Sequence, residues 1–184
     1  PFMTSPDAVS GTHVDPILTH LSSQLSGDAL RQAQVFTREF MQRIPADEVA
    51  QRTSAEWSAL VQGSLDFMRE REAGAAKVRV SNPMIGTGRS RTVIDVVTDD
   101  MPFLVDSVGM AIADAGLGIH GVIHPVYRVE RDASGRLQGV APAEADKGKA
   151  ESVMHFEIDR IADTAELERL QQAVGAALDD VRAS

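Results

Sequence analysis

At 184 residues the chain has room for one domain, or one domain with an annex. Its 43% hydrophobic and 24% charged residues are a globular composition, and 27 acidic against 18 basic side chains give a net charge of −9, which repels phosphate backbones and argues against nucleic acid as a partner. Cysteine is absent, so disulfides, a thiol nucleophile and a thiolate metal site are excluded, in keeping with a cytoplasmic location, and no apolar run approaches the roughly 20 residues of a membrane span.

Residues 1–12, PFMTSPDAVSGT, are polar and rich in turn formers and read as a disordered tail. Met3 is a candidate natural start, which makes Pro1 and Phe2 a candidate cloning scar, and no signal-peptide pattern is visible. A helical subdomain is expected over 13–76. Val14, Ile17, Leu18, Leu21 and Leu25 recur at helical spacing up to Gly27. Asp28 reads as the N-cap of a second helix with Leu30, Ala33, Phe36, Phe40 and Met41 on its apolar face, stopped by Pro45. Thr53 and Glu56 make a capping-box pattern before the stripe Trp57, Leu60, Val61, Ser64, Phe67 and Met68. RERE at 69–72 reads as the solvated end of that helix. The stripes read first as core and second as a docking surface for a partner domain.

An α+β domain is expected over 77–184. KVRVS at 77–81 alternates like a short strand, and MIGTGRSR at 84–91 reads as a flexible basic loop. Its Gly-Thr-Gly lacks the further glycine, or the Gly-Lys-Ser/Thr ending, of a phosphate cradle, and a strand rather than a helix follows. That strand is Thr92 to Thr98, with Ile94 and Val96 on one face and Val93, Asp95 and Val97 on the other. Asp99-Asp100-Met101-Pro102 turns into a helix, where a carboxylate is expected to cap free amides and Pro102 to sit in the first turn. Leu104, Val108, Ala111, Ile112 and Ala115 form the buried stripe, and Gly116 is the C-terminal cap. A long strand follows from Gly118 to Arg131, in which Pro125 demands an edge or a bulge. A short strand at 137–140, a surface loop over 142–152, a strand with Met154, Phe156 and Ile158 on one face, and a helix capped by Asp163 complete the chain.

From Thr92 the order is β-α-β-β-α, one strand short of a ferredoxin-like βαββαβ fold. Either 77–81 fills the gap or the chain is truncated before its last strand. Val93, Val97, Val122 and Val126 lie opposite Ile94, Val96, Ile119 and Ile123, so both sheet faces need cover. The C-terminal helices can cover one; the N-terminal helices, or another subunit or domain, must cover the other.

No residue stands out as catalytic. Asp99, Asp100 and Asp106 read as helix-capping and solvated carboxylates before they read as a cation site. His120, His124 and His155 are the candidate zinc ligands, set against the commoner case of unrelated histidines on a sheet. No metal is expected, and no Ser or Thr has a His and carboxylate partner by motif.

TVIDVVTDDMPFLVDSV followed by GLGIHGVIHPVYRVERDASGRL, with MREREAG and KVRVSNP upstream and MHFEIDR downstream, resembles the N-terminal region of the large bacterial NAD-specific glutamate dehydrogenases. The resemblance runs from about Asp28 to the end. It implies an ACT-like domain over 77–184, a module that in many amino-acid enzymes binds an amino-acid effector, often at a domain pair. Non-catalytic regulation or assembly is the implied role. The parent reaction, oxidative deamination of L-glutamate to 2-oxoglutarate, and the parent's NAD belong to a distant C-terminal segment, so no cofactor is expected here. The implied partners are the remaining domains of the parent chain, a second copy in a homo-oligomer, and an amino-acid effector. Asp99, Asp100, Met101, Pro102, Phe103, Leu104, Gly116 and Gly118 are the implied effector-binding or interface residues. Phe103 stands where such effector turns carry glycine. That departure keeps a ligand-free structural module for oligomerisation or interdomain docking as the alternative.

Overall fold

A computed structural model describes residues 6–83 and 91–184. Most of the expected basic loop, 84–90, and residues 1–5 of the expected tail lie outside the described residues. The first helix, α1 (Pro6–Ser22), begins inside the segment expected as a tail. Two further long helices follow, α2 (Gly27–Met41) and α4 (Ser54–Met68), with the single turn α3 (Ala46–Val49) between them. The expected capping box forms, with the Thr53 hydroxyl accepting from the Glu56 amide and the Glu56 carboxylate accepting from the Thr53 amide. Ser26, not Asp28, precedes α2 as its cap, and Asp28 instead places its charge in the first turn.

The rest is an antiparallel sheet with two helices. Its strands are β1 (Lys77–Ser81), β2 (Thr92–Asp99), β3 (Ile119–Ile123), β4 (Val126–Arg131), β5 (Leu137–Pro142) and β6 (Lys149–Ile158), in the order β1-β2-β6-β4-β5, with β3 also paired to β6. The helices α5 (Leu104–Asp114) and α6 (Thr164–Ala183) lie together on one face. The architecture is the expected α+β class. The slot beside β2, where the last strand of a βαββαβ unit belongs, is taken by β1, with Lys77 opposite Val97 and Ser81 opposite Val93.

Pro125 explains why the long strand is two. It breaks the ladder between Ile123 and Val126, yet both halves stay paired to β6, and the Pro125 carbonyl still accepts from the Val153 amide at 3.0 Å. β6 starts at Lys149, so the expected surface loop over 142–152 is shorter than its polar composition suggested, and Glu151 and Ser152 are buried.

Two cores flank the sheet. Ile94, Val96, Met154, Phe156 and Ile158 pack with Leu104, Val108, Ile112, Leu170, Val174 and Leu178. On the other face Val97, Tyr127, Val129, Leu137 and Val153 pack with the stripes of α1, α2 and α4. The N-terminal helices therefore cover the second face, and the two apolar faces no longer call for an outside partner. Tyr127 seals that contact. It is fully buried, stacks on Phe36 at 4.8 Å between ring centroids, and donates its hydroxyl to the Phe36 carbonyl at 2.7 Å. A buried side chain of this size contributes about 1.5–3 kcal/mol relative to an exposed one.

Two face assignments on β3 are reversed, those of Val122 and Ile123. The register shifts between Ile119 and Gly121, so Val122 aligns with Phe156 and Ile123 with His155. This bulge puts Ile119 and Val122 together on the α5 side and turns Ile123 toward the helical layer.

Candidate functional site

The acidic turn between β2 and α5 is built differently from its sequence reading. Neither aspartate caps α5. The helix starts at Leu104 with Phe103 as its N-cap residue and no side-chain cap, so Pro102 precedes the first turn rather than lying in it. Asp99 pairs with Arg71 at 3.0 Å, and Asp100 accepts from the Ser152 hydroxyl at 2.7 Å. Long-range partners on the segment after α4 and on β6 have outcompeted the local helix end. Phe103 has φ 71°, the only positive φ among the described non-glycine residues, and its side chain is 73% exposed. The turn thus demands the left-handed conformation that glycine favours, and an aromatic residue occupies it at a cost of about 1–2 kcal/mol. Replacing Phe103 with Gly should relieve that strain, less the roughly 0.5–1 kcal/mol that glycine's extra chain entropy costs. The expected result is a rise in Tm of roughly 1–4 °C in a thermal melt.

Gly116 and Gly118 lie beyond the far end of α5. Gly116, at φ 75°, ends the helix as expected, and the Leu117 amide donates to the Ile112 carbonyl at 3.2 Å. The Gly118 amide donates to Asp159 at 2.7 Å. An 11-residue helix separates the two turns, about 16 Å of axis. The structure therefore does not bring Asp99–Leu104 together with Gly116 and Gly118, and none of the eight lines either of the two cavities found beside α5 and α2. Asp106 is exposed on α5.

The three histidines have separate partners. His120 contacts Asp159 at 2.5 Å, His124 contacts Ser152 at 3.0 Å, and His155 contacts Asp95 at 3.0 Å. Among the described residues no group of three or more potential ligands is placed to hold a metal ion.

Folding does assemble one constellation that no motif announced, Asp100, Ser152 and His124 in a row. Its wiring is not that of a nucleophile. The single Ser152 hydroxyl proton goes to Asp100, so at His124 the hydroxyl oxygen accepts and Nε2 must donate. Ser152 is fully buried, and burial lowers the His124 pKa against the pull of Asp100. The imidazole holds a structural hydrogen bond; it does not serve as a base toward this serine.

The larger polar clusters were also unannounced. Arg71, expected in solvent within RERE, is buried and lies 3.0 Å from Asp99 and 3.4 Å from Glu151. Arg131 holds Glu151 through two contacts of 2.9 and 3.0 Å. Asp95 is buried between His155 and Arg79, which lies 2.8 Å away. Burial alone would raise the Asp95 pKa, but the hydrogen bonds and charges of His155 and Arg79 outweigh it and hold the carboxyl below its usual range. A depressed folded-state pKa contributes stability above the unfolded pKa, near 3.9, and that stability is lost as the pH falls through the folded value. Asp95→Asn should therefore cost roughly 2–3 kcal/mol at pH 7, with the gap to the parent protein closing below about pH 4. Urea unfolding of both proteins across that range checks the sign. Only a signal for paired inward charges, such as the alternation of Glu151, His155 and Glu157 with apolar residues along β6, hinted at these networks.

Comparison with known proteins agrees with this architecture. The family model described as "Glutamate dehydrogenase, ACT1 domain" matches residues 36–174, from within α2 to the middle of α6. The NAD-specific glutamate dehydrogenase of Halomonas elongata is 34% identical over 167 residues, covering 88% of this chain and 10% of that protein. The enzyme of the same name from Pseudomonas aeruginosa is 34% identical over 170 residues, covering 89% and 10%. The chain thus spans about a tenth of the length of these curated relatives. No solved structure matches it. No helix among the described residues is long and apolar enough to cross a membrane. With residues 36–174 matched, most of its length, the chain belongs to the glutamate dehydrogenase ACT1 domain family.

Proposed function

We propose that this chain is a non-catalytic regulatory or assembly segment of an NAD-dependent glutamate dehydrogenase. In this reading the parent enzyme oxidises L-glutamate to 2-oxoglutarate with NAD bound elsewhere in its chain, and this segment holds the rest of the enzyme in place or reports an amino-acid effector to it. The observation that carries the reading is the family match over residues 36–174, in a chain that aligns with about a tenth of relatives whose names give the activity. The one Asp, Ser and His grouping described above is wired for structure, which supports a non-catalytic role.

Within that reading the geometry favours assembly over effector sensing. The expected effector residues divide between the two ends of α5, and a side chain replaces glycine at the turn where a ligand would approach the backbone. Calorimetric titration of the 184-residue chain with a panel of amino acids separates the two. Heat with one amino acid, together with a raised Tm, would establish sensing. Silence with all of them leaves assembly. Turnover of glutamate with NAD by this chain alone would overturn the non-catalytic role.

A further inference from the structure

Among the described residues four large hydrophobic side chains are exposed, Phe103, Met110, Ile119 and Val122. Met110, Ile119 and Val122 belong to the α5 side of the sheet. Met110 stands on the outward face of α5, and Phe103 is exposed at the turn that starts that helix. Ile119 and Val122 face the same way from β3, because the bulge aligns them with Ile158 and Phe156. Ile119 reaches α5 itself, where its Cδ1 lies 3.9 Å from the place a Cβ on Gly109 would occupy. Beside this row a groove of about 440 Å³ opens between α5 and α6. Ala111, Ala115, Leu170 and Ala173 line it, and Asp114, Glu166 and Arg169 stand along it. Small residues leave space there for one large side chain from outside. The opposite face of the sheet already carries α1, α2 and α4, whereas among the described residues no element packs on the outer side of this layer.

Charge decides what fits. Together α5 and α6 carry Asp106, Asp114, Glu166, Glu168, Asp179 and Asp180 against Arg169 and Arg182, and Arg182 is already spent on Asp179 at 3.7 Å. A second copy would bring the same acidic excess against itself, on chains of net charge −9. An acidic excess on the two helices that carry an apolar strip and an Ala-lined groove is complementary to an amphipathic helix with apolar anchors and basic flanks.

We infer that the outer face of the α5–α6 layer is a docking surface for a basic amphipathic helix, with one large apolar side chain of that helix seated between α5 and α6. The inference rests on the assembly reading above and names the chemistry of its partner.

The probe is a labelled 18-residue peptide with leucines on one helical face and lysines on the other, titrated into the 184-residue chain by fluorescence anisotropy. A scrambled peptide of identical composition controls for charge alone. The expected result is binding of the amphipathic peptide at least tenfold tighter than the scrambled one. Ala115→Trp, which fills the groove, and Met110→Glu, which breaks the apolar row, should each weaken it at least tenfold while leaving the circular dichroism and Tm unchanged. Equal binding of the two peptides overturns the inference, as does indifference to both variants. A sedimentation mass of two chains that falls to one in Met110→Glu would overturn it in favour of a second copy. The remainder of a related dehydrogenase, expressed without this segment, is the separate arm. If it binds the chain but ignores both substitutions, the assembly reading stands and this surface falls.

Discussion

Replacing Glu151 with Ala is expected to destabilise the protein by roughly 3–5 kcal/mol, because it leaves Arg131 inside without a counter-charge and buried Arg71 with only a solvent-screened one. Glu151 is 3% exposed and is held by Arg131 at 2.9 and 3.0 Å and by Arg71 at 3.4 Å. Arg131 also donates to the Met68 carbonyl at 2.8 Å and to the Gly135 carbonyl at 2.8 Å, and Arg71 donates to the Ala75 carbonyl at 2.7 Å. The two guanidiniums thus stitch the end of α4 to the β4–β5 turn and to β2, and one carboxylate neutralises both. Asp99 stays with Arg71 but is itself 45% exposed, so solvent screens it and it does not replace Glu151. Set against a typical domain stability of about 5–15 kcal/mol, the loss would show as a large drop in the urea midpoint. A change below about 1 kcal/mol would mean that the cluster is wet and the buried pairs count for little.

Gly135→Ala should be about as damaging for a different reason. Gly135 has φ 85°, and a Cβ added there would lie 2.0 Å from the Arg71 carbonyl oxygen, which is backbone and cannot swing away. The Gly135 carbonyl also accepts from the Arg71 amide at 3.1 Å, so the clash falls on the pairing that lays the segment after α4 along β5. We expect a loss of roughly 3 kcal/mol or more, combining left-handed strain with broken backbone pairing. Gly74→Ala is the control. It has φ 75° and nothing within 4 Å of an added Cβ, so it should cost only the strain, about 1–2 kcal/mol. Equal unfolding midpoints for the two variants would show that the close approach at Gly135 is not tight.

These two sites also mark where reading the sequence ran out. What is local was legible. The Thr53–Glu56 box, the Asp163 cap accepting from the Ala165 amide, the Gly116 terminus and the alternation of Met154, Phe156 and Ile158 each involve residues a few positions apart, and each forms as read. Long-range wins were not legible. Asp99 and Asp100 looked like caps, but Arg71 and Ser152 reach them from distant segments. Arg71 looked solvated within a charged run, and its burial follows only from a turn more than sixty residues on. A one-residue slip at the bulge after Ile119 exchanged the faces of Val122 and Ile123, because a period of two has no memory across an extra residue. Of the expected site residues, the turn Asp99 to Leu104 is a real structural feature, and Phe103 at φ 71° shows why a glycine would be natural there.

The placement of β1 has a consequence for how this protein is cut. The sheet borrows its outermost strand on the β2 side from upstream, so the βαββαβ unit is circularly permuted in chain order, its last strand coming first. A piece begun at Thr92, where the recognisable sequence words start, would keep β2 and lose its partner. It would expose the backbone of β2 from Val93 to Val97 as a bare edge, and Ile94 and Val96 would lose Val80 from their core. Such an edge recruits strands from other molecules. The smallest soluble unit therefore begins ahead of Lys77, and a shorter piece that aggregates would be reporting a lost strand rather than an unstable domain.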